Sequence, residues 1–168
     1  DILKNDIFFG DIKSLNIFIL ITLSIFSLGF IDDRLNLKAN TKFLYLIIMI
    51  LTLLIFDKNL VLKNIIFSFY KKELPLHEFS IFFSIFCFLV FINAFNMFDG
   101  INLQSSSYSL LIFFNILFFY DSLLIKILII ALLTFSYLNL KNKTFLGDSG
   151  SLLLAFIISY FFIKLYNF

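Results

Sequence analysis

Three short polar stretches in an otherwise apolar chain carry residues that could do chemistry. Asp32-Asp33-Arg34 follows the first long apolar run, Asn93, Asn96 and Asp99 end a later one, and Gly147-Asp148-Ser149-Gly150 precedes the last. At about 3.6 residues per turn, Asn93, Asn96 and Asp99 fall within roughly a third of a helix circumference. Amides and carboxylates at the mouth of a membrane helix are costly without a partner, which makes them functional candidates. Four carboxylates meeting on one face would repel one another and demand a hard cation. Mg²⁺ is the natural ion, since it takes oxygen ligands and shares its shell with water and substrate phosphates; Mn²⁺ is an acceptable substitute. Gly147 and Gly150 would let the backbone approach a phosphate, and the start of a following helix offers free N–H donors to an anion. The chemistry suggested is phosphoryl transfer at a membrane surface, where metal and positioning do most of the work.

Each stretch also has a plain structural alternative. Asp32-Asp33-Arg34 alone reads as a solvated helix end with self-compensating charges. Asp148-Ser149 alone reads as an N-cap. Asn93 to Asp99 alone reads as a helix end facing headgroups. The conjunction of the three is what the alternatives leave unexplained.

The elements that must position these residues are membrane helices. The chain is 61% hydrophobic with only 14% charged residues, 27 Phe, one Pro and five Gly, far from the charge content of a soluble domain. A net charge of +2 gives no case for a nucleic-acid partner. The single cysteine, Cys87, lies in an apolar run and excludes an internal disulfide. The expected class is all-α: one polytopic helical membrane domain over residues 1–168, with about six spans. A charged lead-in over residues 1–14 precedes spans at 15–31, 43–56, 79–95, 108–120, 123–138 and 151–166, the second short and the fifth with Lys126 free to snorkel. Residues 32–42 read as a polar loop, and 57–78, around Pro75 and the lone His77, as loop plus an interfacial helix lying on the membrane. The first apolar run lacks a small-residue cleavage site and is not a signal peptide.

Counting crossings gives the organising expectation. Two spans separate Asp32-Asp33 from Asn96 and Asp99, and two more separate Asp99 from Asp148. An even number returns the chain to the same face each time, so all three stretches open on one side. His77 falls on the other side and receives no catalytic role. Loop charges are nearly balanced between the two sides and do not say which is cytoplasmic.

Gly29-Phe-Ile-Asp-Asp-Arg34 with Leu37 and Lys42, Asn93-Ala-Phe-Asn-Met-Phe-Asp-Gly-Ile101, and Phe145-Leu-Gly-Asp-Ser-Gly-Ser151 resemble, in order and spacing, three signatures of the polyprenyl-phosphate N-acetylhexosamine-1-phosphate transferases. The resemblance implies a multi-pass enzyme of the bacterial inner membrane with a cytoplasmic active site. It would move a sugar-1-phosphate from a UDP-linked amino sugar to undecaprenyl phosphate, releasing UMP and initiating a lipid-linked cell-envelope glycan such as lipopolysaccharide or O-antigen. By position, Asp148 matches the main Mg²⁺ ligand. Asp32 and Asp33 match the acidic pair near the metal and the lipid phosphate, and Asp99 a catalytic carboxylate. Asn93, Asn96 and Lys42 match substrate-binding positions. The Asp-Asp-Arg and Asn-Ala-Phe-Asn-Met wording is more similar to the UDP-N-acetylglucosamine branch than to the phospho-N-acetylmuramoyl-pentapeptide branch. A homodimer is compatible with it. For Asp32 and Asp33, positioning of metal and acceptor phosphate is expected, with proton abstraction by Asp32 as the competing role.

Two departures stand out. The family continues Asp-Gly-x-x-Gly-Leu, whereas Gly100 here is followed by Ile101-Asn102-Leu103-Gln104. Family members also carry further helices and a loop rich in His and Arg, so this chain, which starts at Asp1, is expected to be a fragment lacking full activity. The rival classes are a transporter or ion pathway and a non-catalytic membrane scaffold. A pathway needs polar residues at mid-span, and the isolated Asn115 and Ser136 are poor candidates.

Overall fold

A computed structural model describes residues 8–9, 11–67 and 70–167; the side chains of residues 70–72 fall outside the description, as does the lead-in over residues 1–7 with Lys4 and Asp6. Six α-helices run α1 (Ile12–Leu35), α2 (Ala39–Phe56), α3 (Ser80–Phe98), α4 (Gln104–Phe119), α5 (Leu123–Leu140) and α6 (Gly147–Asn167). Five are long and apolar enough to cross a membrane; α4, at 16 residues, is shorter. It still runs from one end of the bundle to the other. Its start is tied to α5 by Leu103 N–H donating to Asn139 Oδ1 at 2.8 Å, and Tyr120, just past its end, meets Phe8 edge-on at the far end.

The helices are longer than the apolar runs that announce them. Residues 32–42 are not a loop: α1 carries Asp32, Asp33 and Arg34 in its last turns, and α2 already includes Lys42, leaving Asn36–Lys38 as the connection. The reason is local. Nothing in Asp-Asp-Arg-Leu forbids helix, and the first residue that adopts a left-handed conformation readily, Asn36 (φ 48°), ends it.

The 57–78 segment departs from the interfacial helix expected of it. After a 3₁₀ turn at Lys58–Leu60, the chain forms an antiparallel hairpin of β1 (Asn64–Phe67) and β2 (Tyr70–Pro75), pairing Asn64 with Pro75 and Ile66 with Glu73. The run Ile65-Ile66-Phe67 favours a pleated strand. A strand edge leaves backbone groups unpaired, and here Tyr166 Oη of α6 accepts from Ile66 N–H at 2.7 Å and donates to Asn64 O at 3.0 Å. Leu62 N–H donates to Ser84 Oγ of α3 at 2.8 Å and fixes the approach to the hairpin.

α6 is the centre of the bundle. Most of its surface is buried, against α1 and α3 above all, whereas α1, α2, α3 and α5 turn most of theirs outward. The outward residues are large and apolar, Leu23, Phe118 and Ile130 among them, as a lipid-facing surface requires. The core between α1 and α6 is aromatic: Phe18 lies 4.5 Å from Tyr160 and 6.0 Å from Phe156, centroid to centroid. Phe8 and Phe9, assigned to the charged lead-in by sequence, are buried in that core. At the end opposite Asp32, Lys164 of α6 and Asp57 at the close of α2 form an ion pair of 2.8 Å, only 5% and 2% exposed.

Candidate active site at the polar end of the bundle

Asp32 and Asp33 are neighbours in a helix and therefore point about 100° apart. Asp32 turns inward and is 2% exposed. One of its oxygens accepts Leu37 N–H at 2.8 Å, closing the turn after α1; the other is ion-paired with Lys42 of α2. Asp33 turns toward α6. Its carboxylate accepts the N–H groups of Asp148 (2.8 Å) and Ser149 (3.1 Å), so a side chain of α1 caps the first turn of α6. Two orphan donors are satisfied there, and a negative charge sits at the positive end of the helix dipole. Two of the free N–H donors expected for an anion at this helix start are therefore already taken by Asp33. Asp148 is a first-turn residue, and the capping acceptor is Asp33.

The approach of the two helices depends on glycine. A Cβ at Gly29 would stand 2.4 Å from Ser149 Cα, inside any permitted contact. Gly147 adopts φ +64°, and a Cβ there would press on the Asp33 carboxylate at 3.0 Å. Both serve helix docking; of the two glycines for which an approach to phosphate was expected, Gly147 lies against Asp33 and Gly150 against the Leu146 side chain.

Lys42 joins the pieces. Its ammonium pairs with Asp32 and lies 3.3 Å from Asp148 Oδ2. Asp148 in turn lines a cavity of about 300 Å³ shared with Asp99, Asn102, Leu103, Ser105 and Asn139. Asn96 Oδ1 accepts the Ser151 hydroxyl, binding the end of α3 to the start of α6. The structure thus brings Asp32, Asp33, Lys42 and Asp148 into one cluster, with Asp99 across the cavity and Asn96 one turn along. Asn93 is not drawn in: it is exposed, and its amide donates to Leu89 O of its own helix at 2.8 Å. Arg34 is no counter-charge either, since its guanidinium lies over the Phe30 ring at 4.7 Å.

Three residues that sequence reasoning passed over shape the cavity. Asn139, buried at the end of α5, accepts from Leu103 N–H at 2.8 Å and donates to Thr144 O at 2.6 Å, tying together the loops that carry Asp99 and Asp148. Leu103 sits at φ +69°, a left-handed position, where the resembled pattern has glycine. Ser105 lines the same cavity, and its buried Oγ has no hydrogen-bond partner among the described residues. A lone amide at the end of an apolar run was the only trace of Asn139 in the sequence.

Residues 15–166 match Glycosyl transferase family 4. The chain belongs to that family. Among the members it resembles is the phospho-N-acetylmuramoyl-pentapeptide-transferase of Listeria monocytogenes serovar 1/2a, 30% identical over 165 residues, covering 87% of this chain and 51% of that protein. The undecaprenyl-phosphate alpha-N-acetylglucosaminyl 1-phosphate transferase of Escherichia coli O157:H7 is 30% identical over 143 residues, 78% of this chain and 39% of that one. The chain thus spans about half or less of the curated relatives it matches, and the two branches are equally similar to it. The contacts within the bundle accord with the crossing count. Contacts at Asp32–Lys42–Asp148, Asn96–Ser151 and Leu103–Asn139 gather all three motifs of this family 4 chain at one end of the bundle.

Proposed function

We propose that this family 4 chain forms the catalytic end of an enzyme that transfers a sugar-1-phosphate from a UDP-linked amino sugar to a polyprenyl phosphate, with the motif end facing the cytoplasm. The supporting observation is the grouping of carboxylates at that end: Lys42 pairs with Asp32 and lies 3.3 Å from Asp148, Asp33 holds the Asp148 N–H, and Asp148 lines a cavity together with Asp99. Among the described residues the four carboxylates do not converge: no three metal-ligating side chains group closely enough to hold an ion by themselves. Mg²⁺ would therefore bind through one or two carboxylates together with water and substrate phosphates. Asp148, with Asp99 opposite, would hold it, and the bound ion would neutralise charge on the transferring phosphoryl group.

In the proposed step an oxygen of the lipid phosphate attacks the sugar-bearing phosphorus of the donor. The bond from that phosphorus to the bridging oxygen breaks, and UMP leaves with the electron pair. The acceptor's second pKa, about 6, leaves much of it already ionised at neutral pH, so no general base is required. Asp32 suits a positioning role: both its oxygens are engaged, by Lys42 and by Leu37 N–H. Asp33 sets the orientation of Asp148 by holding its N–H. Lys42, partly exposed, would face the substrate phosphates. N-acetylglucosamine is the preferred sugar, from the Asp-Asp-Arg and Asn-Ala-Phe-Asn-Met wording; the pentapeptide-bearing donor is the second reading.

The test is UMP release by the intact protein in membranes, given undecaprenyl phosphate and each donor in turn. Release with UDP-N-acetylglucosamine, lost on chelation and nearly abolished by Asp148→Asn, is expected. No release with either donor at saturating Mg²⁺ would overturn the assignment. Single cysteines at Asn36 and Gln104 should label from the cytoplasmic side.

A further inference from the structure

The end of the bundle away from the motifs holds a second cavity, larger than the first at about 500 Å³. It lies between the 3₁₀ turn after α2, the first strand of the hairpin and the last turn of α6. Lys58, Lys63 and Lys164 line it, and among the described lining residues there is no acid. Lys164 is the buried wall, 5% exposed and held at 2.8 Å by Asp57. Asp57 is itself saturated: its other oxygen accepts Asn59 N–H at 3.2 Å, and Tyr160 Oη stands 3.5 Å away. Glu73, on the facing strand of the hairpin, is taken by the Asn64 amide at 2.8 Å. Lys58 and Lys63 have no anionic partner among the described residues. Two exposed ammonium groups thus flank a cavity whose buried wall is a third.

The surroundings say where an anion would come from. Ile66 of the cavity lining, and Phe56, Leu74 and Phe79 in the segments that close this end of the bundle, are all more than half exposed and apolar. Groups of that kind next to lysines mark the boundary between hydrocarbon and headgroups, where lysines attract anionic lipid. We propose that this cavity binds the phosphate group of an anionic phospholipid in the leaflet opposite the candidate active site. Lys58 and Lys63 contact the phosphate as point charges, and Lys164, paired with Asp57, forms the buried polar wall beneath them. The site is independent of the transferase reading, and so is its test.

Native mass spectrometry of the intact detergent-purified protein, titrated with phosphatidylglycerol, phosphatidylcholine or inorganic phosphate, reads it directly. The wild type should prefer phosphatidylglycerol, and Lys58→Gln with Lys63→Gln should weaken that binding roughly ten- to thirtyfold, as two lysines at a membrane surface would. Lys141→Gln, at the opposite end, should leave it unchanged. Equal phosphatidylglycerol binding by wild type and the double variant would overturn the proposal. Inorganic phosphate displacing the lipid at equal concentration would also overturn it, by showing a soluble-anion site. Because Lys58 and Lys63 are exposed, the variants should keep the wild-type unfolding temperature in lipid-free detergent. A matching loss of phosphatidylcholine binding would mark a general loss of lipid contact and count against the site.

Discussion

Asp33 in the last turns of α1 accepts the N–H groups of Asp148 and Ser149 in the first turn of α6, at 2.8 and 3.1 Å. A carboxylate matched by position to the acidic pair near the metal thus holds another motif residue, Asp148, in place. Asp33→Ala should cost about 0.5–2 kcal/mol, the usual loss for a missing cap, and should lower activity by misplacing Asp148. Asp33→Asn keeps one acceptor oxygen and should recover part of both. Thermal unfolding beside an activity assay checks this. An Asn variant as inactive as Ala, with wild-type stability, would place Asp33 directly on metal or phosphate.

Lys42 compensates Asp32, which is nearly inaccessible to water. Lys42→Gln leaves that carboxylate with the Leu37 N–H and the neighbouring Asp148 carboxyl but no cation, a loss of about 1–3 kcal/mol, below the cost of breaking a fully buried pair because Lys42 is itself partly exposed. Adding Asp32→Asn removes the stranded charge and should restore stability. Equilibrium unfolding of the single and double variants decides: a double variant no more stable than Lys42→Gln would mean that the ion pair is not what holds α1 to α2.

Gly29→Ala forces a methyl to 2.4 Å from the Ser149 backbone. No side chain can swing aside there, so the helices must separate. The expected cost is about 1–3 kcal/mol, typical of overpacking, with a fall in activity larger than the stability loss alone explains, because the Asp33–Asp148 contact lies one turn away. An unfolding temperature equal to wild type would show that α1 and α6 cross more loosely.

Leu103 adopts φ +69° and its N–H is held by Asn139. A left-handed conformation costs a residue with a Cβ about 1–2 kcal/mol. Leu103→Gly should therefore be more stable than Leu103→Ala by about 1 kcal/mol, the reverse of the usual order. Chemical denaturation of the two variants measures it; Ala above Gly would mean that the turn is not left-handed.

Much of this was legible in the sequence because membrane segments obey a strong rule. Backbone groups in hydrocarbon must pair within a helix, so apolar runs disclose spans, and counting spans placed Asp32, Asn96, Asp99 and Asp148 on one side without any knowledge of packing. The ends of those helices were not legible. Helix boundaries depend on caps and local conformation, and the last turns of α1 and first turn of α2 extend through residues whose polarity suggested a loop. The hairpin was missed for a related reason: a short mixed run such as Lys63–Pro75 has no decisive period, and contacts with Tyr166 and Ser84 from distant helices settle it. Only the tertiary structure decided the division of labour within the site. Adjacent aspartates are chemically equal in a sequence. The 100° between them on α1 sends Asp32 to a buried ion pair and Asp33 to the N-terminus of α6, because Gly29 lets the two helices come close enough to meet.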